Sequence, residues 1–247
     1  RERMVSLGAI PQSIHVTGDI KFHQIAPPTK VKEKRLRQEL RLPKNASVLI
    51  AGSTHEGEEA IIINIFKDLK VDFTQLILIL APRHLQRVSR VEGLLKSEGV
   101  RWTRRTTLAE GHRAQEVILL DTIGELATLY GLGTAVFVGG SFCRVGGHNI
   151  LEVLAHGKGV IFGPHMDNFR AIAQRVVERG AGIQVRTPAE LKDTLRKVIA
   201  NPLLIKKMGE KGLALLKEEQ GALEKTVIIV KKFYKAGAEG GPLASGS

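Results

Sequence analysis

"TAVFVGGSFCRVGGHNILEVLAHGKGVIFGP", Thr134 to Pro164, carries the pattern from which the fold is read. An apolar run, "TAVFVGG", leads into a polar, glycine-rich connection. "NILEVLAHG" follows with helical spacing, and a second apolar run, "GVIFGP", comes next. Two short runs that are apolar throughout, joined through a helix, predict parallel strands buried on both faces and linked by a βαβ crossover. The connection holds two glycine pairs, a Ser, a His, an Asn and a Glu, more than a turn needs.

The same alternation extends both ways. "SVLIAGS", "QLILILAP" and "EVILLDT" precede it as strands, separated by the helical patterns "EEAIIINIFKDL" and "LQRVSRVEGLLKSEG". "GELATLYGLG" is the helix before the quoted stretch. "FRAIAQRVVERG", "AGIQVRT" and "AELKDTLRKVIAN" follow as helix, strand and helix. The expected fold is α/β: a Rossmann-like, mostly parallel sheet of six strands with helices on both faces. Residues 1–30, with "SIHVTGDIKFHQIAPPTK", look like the end of a preceding domain and a Pro-Pro linker. Residues 31–236 form the ligand-binding domain, with one or two helices from 203 onward. The small, polar tail 237–247 is expected to be disordered.

Composition narrows the function classes. The 247 residues are 43% hydrophobic and 25% charged, ordinary globular values. No apolar run is long enough to span a bilayer. The charged start, broken at Pro11, is not a signal peptide; with no Met at position 1, the chain reads as a fragment or a processed product. A single cysteine, Cys143, excludes an internal disulfide and a multi-Cys metal site. The net charge of +12 favours an anionic partner: nucleic acid, an anionic membrane or a phosphorylated substrate. Aromatics at 4% leave no stacking platform for single strands, so no specific nucleic acid is expected.

In an open parallel sheet, ligands bind beyond the carboxyl ends of the strands. Polar loops from distant parts of the chain must therefore share one rim. In the glycine loop, Gly139, Gly140, Gly146 and Gly147 allow close approach of the backbone to a ligand. His148 and Asn149 are expected at the first helical turn, where free N–H groups attract an anion. Glu152 can accept ribose hydroxyls, or it can complete a capping box with Asn149. "DTIGEL" has capping-box spacing at Thr122 and Glu125, while the N–H groups of Ile123 and Gly124 can still face a ligand. "PRH" puts Arg83, a planar cation suited to phosphate, beside Pro82 and His84. "STHEGEE" brings Ser53, Thr54, His55, Glu56, Glu58 and Glu59 to one turn. Ser53 and Glu56 are spaced as a cap, and Glu58 and Glu59 are explained by the helix dipole. Gly140, Ser141, Gly147 and His148 complete the possible rim, with Gly163, Pro164, His165 and Asn168 after the fifth strand. No metal site is expected: His55 lacks a partner at ligand spacing, and P-loop and G-x-G-x-x-G patterns are absent.

Taken as a set, "AGSTHEGEE", "APRH", "DTIGEL..LY", "VFVGGSF...GGHNILE" and "GP...NF" resemble, in order and spacing, the bacterial 3-deoxy-D-manno-octulosonic acid (Kdo) transferases; "VTGDIKF" resembles the segment joining that family's two domains. The resemblance covers roughly residues 14–180 and implies the C-terminal half of a GT-B glycosyltransferase. It implies transfer of Kdo from CMP-Kdo to a lipid A precursor in lipopolysaccharide biosynthesis, with no further cofactor. By resemblance, CMP contacts fall on Pro82, Arg83, Ile123, Gly124, Glu125, Asn149, Ile150, Leu151 and Glu152. The family pattern has Met where Ile123 stands and Pro where Ile150 stands; a backbone contact survives the first change, and the second loosens the helix start. The catalytic base and acceptor site belong to the family's N-terminal domain, so no catalytic residue is expected here and the chain alone should be inactive. The resemblance places the full enzyme at the cytoplasmic face of the inner membrane, on an anionic surface, with this chain itself soluble. A UDP-sugar transferase or epimerase of the GT-B type, and a non-catalytic basic module binding nucleic acid or membrane, are the alternatives.

Overall fold

The computed structural model describes residues 1–18, 22, 29–110, 116–219 and 221–238. Seven strands form one sheet: β1 (Ser47–Thr54), β2 (Leu76–Pro82), β3 (Trp102–Arg104), β4 (Val117–Leu119), β5 (Ala135–Val138), β6 (Val160–Phe162) and β7 (Gly182–Gln184). Their order is β3-β4-β2-β1-β5-β6-β7, and every pairing is parallel. The helices are α1 (Glu2–Ser6), α2 (Lys30–Glu39), α3 (Glu58–Asp72), α4 (Val88–Ser97), α5 (Leu126–Leu129), α6 (Leu151–Ala155), α7 (Arg170–Glu178), α8 (Pro188–Ala200), α9 (Pro202–Glu219) and α10 (Ala222–Ala238).

The strands follow from their sequence. Leu49 and Ala51 of β1, Leu78 and Leu80 of β2 and Phe137 of β5 join one core with Ile62 and Phe66 of α3, Val91 and Leu95 of α4, and Leu191 and Leu195 of α8. Val48, Ile50, Ile77, Ile79 and Val136 alternate with them, point to the other face and are equally buried. Ile50 reaches the turn at Tyr130–Gly133 on that side. Each fully buried Leu, Ile or Phe contributes about 1.5–3 kcal/mol, so double-sided burial holds the strands more firmly than intrinsic propensity does.

The strand that the sequence pattern misses is β3. It has three half-buried residues at the sheet edge, so no apolar run marks it. Trp102 and Arg104 both bond Glu92 of α4, the arginine through two nitrogens, and these bonds take the place of burial.

Contacts group the chain into two compact units, Ala26–Leu215 and Arg1–Ile25 with Leu216–Ser247. The sequence pattern, which follows helices and not contacts, runs the first unit on to residue 236. The larger unit holds the sheet. In the smaller, the ring of His15 meets Phe233 of α10 at 5.8 Å. Gly237 and Ala238 close α10, and the rest of the tail expected to be disordered lies outside the described residues. So do Asp19–Lys21 of the joining segment and the Pro27-Pro28 linker.

One feature of the order positions the site. β1 connects outward to β2 on one side, whereas β5 starts the other half of the sheet on its opposite edge. The switch between β1 and β5 opens a crevice at their carboxyl ends, the place where open α/β sheets bind ligands.

Candidate functional site

The glycine loop after β5 is held at the switch point by a carboxylate. Glu58, at the first position of α3, is buried and accepts hydrogen bonds from the backbone N–H of His55 (2.9 Å), Gly140 (2.7 Å), Ser141 (3.0 Å) and Phe142 (2.9 Å). Gly139 permits this approach: a Cβ there would stand 2.7 Å from Glu58 Oε2, Ser53 O and Thr54 Cα. The helix dipole favours Glu58 in the first turn of α3 but leaves its four backbone partners unexplained. Four charge-assisted bonds satisfy a carboxylate that burial would otherwise penalise heavily. Glu59, also buried, pairs with both terminal nitrogens of Arg87 (2.6 and 3.2 Å).

The loop closes on itself and on β6. Ser141 is fully buried; its hydroxyl donates to Val138 O (2.7 Å) and accepts from Gly163 N (2.8 Å). Gly147, at φ 76°, donates its N–H to Gly140 O (2.8 Å), a conformation that favours glycine. Gly140, Ser141 and Gly147, expected as rim contacts, are thus committed to the loop's own architecture. Thr54 is buried and lies near Ala81 O, below the rim. The Ser53–Glu56 cap does not form, because Ser53 still belongs to β1 and Glu56 pairs with Arg90. Ser53 instead bonds the buried Tyr130 hydroxyl and takes φ 54°, a left-handed conformation at a β-bulge.

α6 starts later than the sequence suggests. His148 and Asn149 precede it, Ile150 is its N-cap residue, and it has only five residues. Asn149 Oδ1 accepts from Leu151 N (3.1 Å), and Asn149 Nδ2 donates to Glu152 Oε1 (3.1 Å). Local bonding of Asn to the backbone competes with the helix and delays it. The side chains of Ile150 and Leu151 are buried, so a ligand can meet them only through their backbone. Glu152 Oε2 has no hydrogen-bond partner among the described residues. Burial pushes the Glu152 carboxyl up in pKa, while the Asn149 bond and the positive charge of Arg83 pull it down.

Arg83, exposed just beyond β2, donates its backbone N–H to Thr54 O (2.9 Å), which ties its loop to β1. Its guanidinium makes no hydrogen bond or ion pair among the described residues. Its charge is uncommitted, and it is felt by the Glu152 carboxyl, which has one oxygen engaged. Next to it, a cavity of about 360 Å³ is lined by Ser53, Pro82, Arg83, His84, Ile123 and Gly124.

On the far wall, Glu125 accepts from Thr122 Oγ1 (2.6 Å) and from Arg105 Nη2 (3.0 Å), and Arg105 also bonds Glu39 of α2 (2.7 Å). Both Glu125 oxygens are engaged, so the expected capping box is replaced by a side-chain bridge. Arg105 Nε is buried without a partner. Ile123, 84% exposed, and Gly124, at φ 89°, line the cavity, and their N–H groups have no hydrogen-bond partner among the described residues. Sequence reasoning missed Arg105: its only signal is one arginine among several.

Three histidines complete the rim. His55 and His148 lie side by side, 9° from coplanar with centroids 5.0 Å apart, and their Nε2 atoms face each other at 2.8 Å. His84 meets His55 edge-on at 5.6 Å. Burial lowers both members of the facing pair, His148 to about 4. Among the described residues, no group of three His, Cys, Asp or Glu side chains is placed to hold a metal ion. No helix is long and apolar enough to cross a membrane in that same set.

Pro82, Arg83, Ile123 and Gly124 thus line one cavity, and His148 and Glu152, before and within α6, lie within electrostatic reach of its Arg83.

No protein-family model matches the chain. The chain is similar to the 3-deoxy-D-manno-octulosonic acid transferase of Haemophilus influenzae, 33% identical over 239 residues, covering 95% of this chain and 55% of that protein. A bifunctional glycosyltransferase/methyltransferase of Fusobacterium nucleatum is 36% identical over 193 residues, 77% of this chain and 29% of its own length. The chain thus spans about half the length, or less, of the curated relatives it matches. Among solved structures, the C-terminal CMP-Kdo binding domain of WaaA from Acinetobacter baumannii superposes with a TM-score of 0.69 at 27% identity, covering 75% of this chain and 96% of that one. The S. aureus MnaA-UDP structure, with a TM-score of 0.61, is 13% identical over 95% of this chain and 58% of its own, a likeness of fold.

Proposed function

This chain is a relative of the Kdo transferases, matched to a C-terminal CMP-Kdo binding domain, and from that premise we infer that its crevice binds the CMP part of CMP-Kdo. The observation that carries the reading is the Arg83 guanidinium, without a hydrogen-bond or ion-pair partner among the described residues, on the wall of a cavity at the carboxyl ends of the strands and within electrostatic reach of the buried Glu152 carboxyl. Arg83 meets the phosphate. Glu152 Oε2 accepts ribose hydroxyls, and its burial strengthens that bond. The unpaired N–H groups of Ile123 and Gly124 meet the remaining polar edge of the nucleotide, in the cavity beside them.

The reaction is displacement at the anomeric carbon of Kdo. The sugar–phosphate bond breaks, CMP leaves with its electron pair, and an acceptor hydroxyl loses its proton as it attacks. Arg83 stabilises the charge that grows on the departing phosphate. The base that takes the hydroxyl proton, the lipid A precursor site and the contact with an anionic inner-membrane surface belong to a domain outside this chain. The chain alone binds the donor without turning it over.

Titration of the chain with CMP and, separately, UMP, followed through its amide resonances, tests this. CMP should perturb residues 83–84, 122–126 and 148–152, and UMP should bind less tightly. No perturbation at millimolar CMP refutes the reading. Equal response to UMP favours a UDP-sugar enzyme of the same fold.

A further inference from the structure

His55 and His148, brought together from loops 93 residues apart, have no part in the contacts assigned above. In a hydrogen bond between two imidazoles, one nitrogen donates and the other accepts through its lone pair. At 2.8 Å the facing Nε2 atoms therefore share a single proton. Gly140 makes room for the pair, since a Cβ there would stand 2.7 Å from His148 Cδ2. The charges around the pair come from several elements. His148 faces Arg83 and His84 of the β2 loop; His55 faces Glu58 and Glu59 of α3, His84, and Arg87 beyond it. Both carboxylates are already engaged, Glu58 by backbone N–H groups and Glu59 by Arg87. Burial keeps the free pair neutral.

The loop N–H groups that would otherwise greet an anion between β1 and β5 are taken by Glu58. Among the described residues, side-chain donors must do that work there. We propose that an oxyanion of the donor enters between His55 and His148, that each ring donates one N–H to it, and that the pair takes up one proton from solvent as it opens. This rests on the reading that the crevice holds a CMP-linked sugar acid. The free pair holds two ring protons, one bridging and one on Nδ1 of the accepting ring; the third, taken from solvent, makes one ring an imidazolium, whose positive charge meets the negative charge of the ligand. The oxyanion is either the phosphodiester or the carboxylate of the sugar acid.

Titration calorimetry in buffers of different protonation heat counts the proton. Three probes separate the sources: cytidine, cytidine 5′-methyl phosphate, and CMP-N-acetylneuraminic acid, which adds a sugar-acid carboxylate to the same diester. A diester has no proton titrating near neutrality, unlike a monoester with its second pKa of about 6, so any uptake belongs to the protein. Cytidine should bind without uptake. Uptake approaching one proton with the methyl diester identifies the phosphate, and uptake with the sugar-acid conjugate alone identifies the carboxylate. In that arm, affinity should rise almost tenfold per pH unit from about pH 8 to about pH 6, the slope of one linked proton. His148→Gln should abolish the uptake and flatten the slope; should that variant fail to fold, the wild-type proton count decides alone. Diester binding without proton uptake overturns the proposal and leaves the CMP reading standing. Failure of all three probes to bind overturns both.

Discussion

Glu58 and Gly140 are 82 residues apart in the chain, and the carboxylate of one accepts the backbone N–H of the other at 2.7 Å. The bond joins the first turn of α3 to the loop after β5, across the point where the sheet changes direction. Because Ser141 and Phe142 donate to the same carboxylate, the glycine loop has a fixed shape before any ligand arrives. A preorganised loop spares the ordering cost that a mobile one would incur on binding.

Glu58→Gln is expected to destabilise the chain by about 2–4 kcal/mol, because an amide cannot accept on both sides and loses the charge that strengthens each bond. Urea unfolding measures it. An unchanged midpoint would show that the loop holds its shape without the carboxylate.

Arg83→Ala and Glu152→Ala should each weaken CMP binding by about 1–3 kcal/mol, the range for a hydrogen bond to a charged group. Melting temperature should move little for Arg83→Ala, whose guanidinium has no partner to lose. Calorimetric titration beside a thermal melt checks both; equal losses of affinity and stability would mark the residues as structural.

Glu152→Gln should raise stability at neutral pH while lowering CMP affinity. The sign follows from burial, which raises the carboxyl pKa in the folded state. The folded state then holds its proton more tightly than the unfolded one, so stability falls as pH rises from the unfolded value through the folded one. At neutral pH that cost is fully present, and removing the charge removes it. Denaturant titrations of both proteins at pH 4 and pH 7 should show the gap only at the higher pH.

His148 produces the opposite slope. Its pKa falls to about 4 when folded, against an ordinary value of 6.5. Above the unfolded value nothing is lost; between there and about pH 4, the unfolded state takes up the proton first and stability declines. Allowing for partial exposure of the ring, the loss should be about 1–2 kcal/mol. His148→Gln should flatten the stability profile in this window, read from melting temperature against pH.

Ile228, Val230, Phe233 and Tyr234 of α10 are apolar and each more than half exposed. Self-association at high concentration, measured by sedimentation, should follow from such a surface.

Six of the seven strands and the crevice at their carboxyl ends were legible in the sequence. Apolar runs separated by helical spacing state the burial of each strand locally, and the loops after parallel strands must share one edge. Arg83, Ile123, Asn149 and Glu152 are candidates read that way. Three kinds of fact were not legible. β3 lies at an edge and needs no apolar run. Glu58 had a sufficient local explanation at a helix start, which hid its partners 82 to 84 residues away. The pairing of His55 with His148, and the bridge from Arg105 to Glu125, join side chains whose neighbours in sequence say nothing of each other. Hydrophobic periodicity is a local property and survives in a string of letters. Which polar group satisfies a buried carboxylate, or shares a proton with a distant ring, is settled only when the packed chain brings them within hydrogen-bond reach.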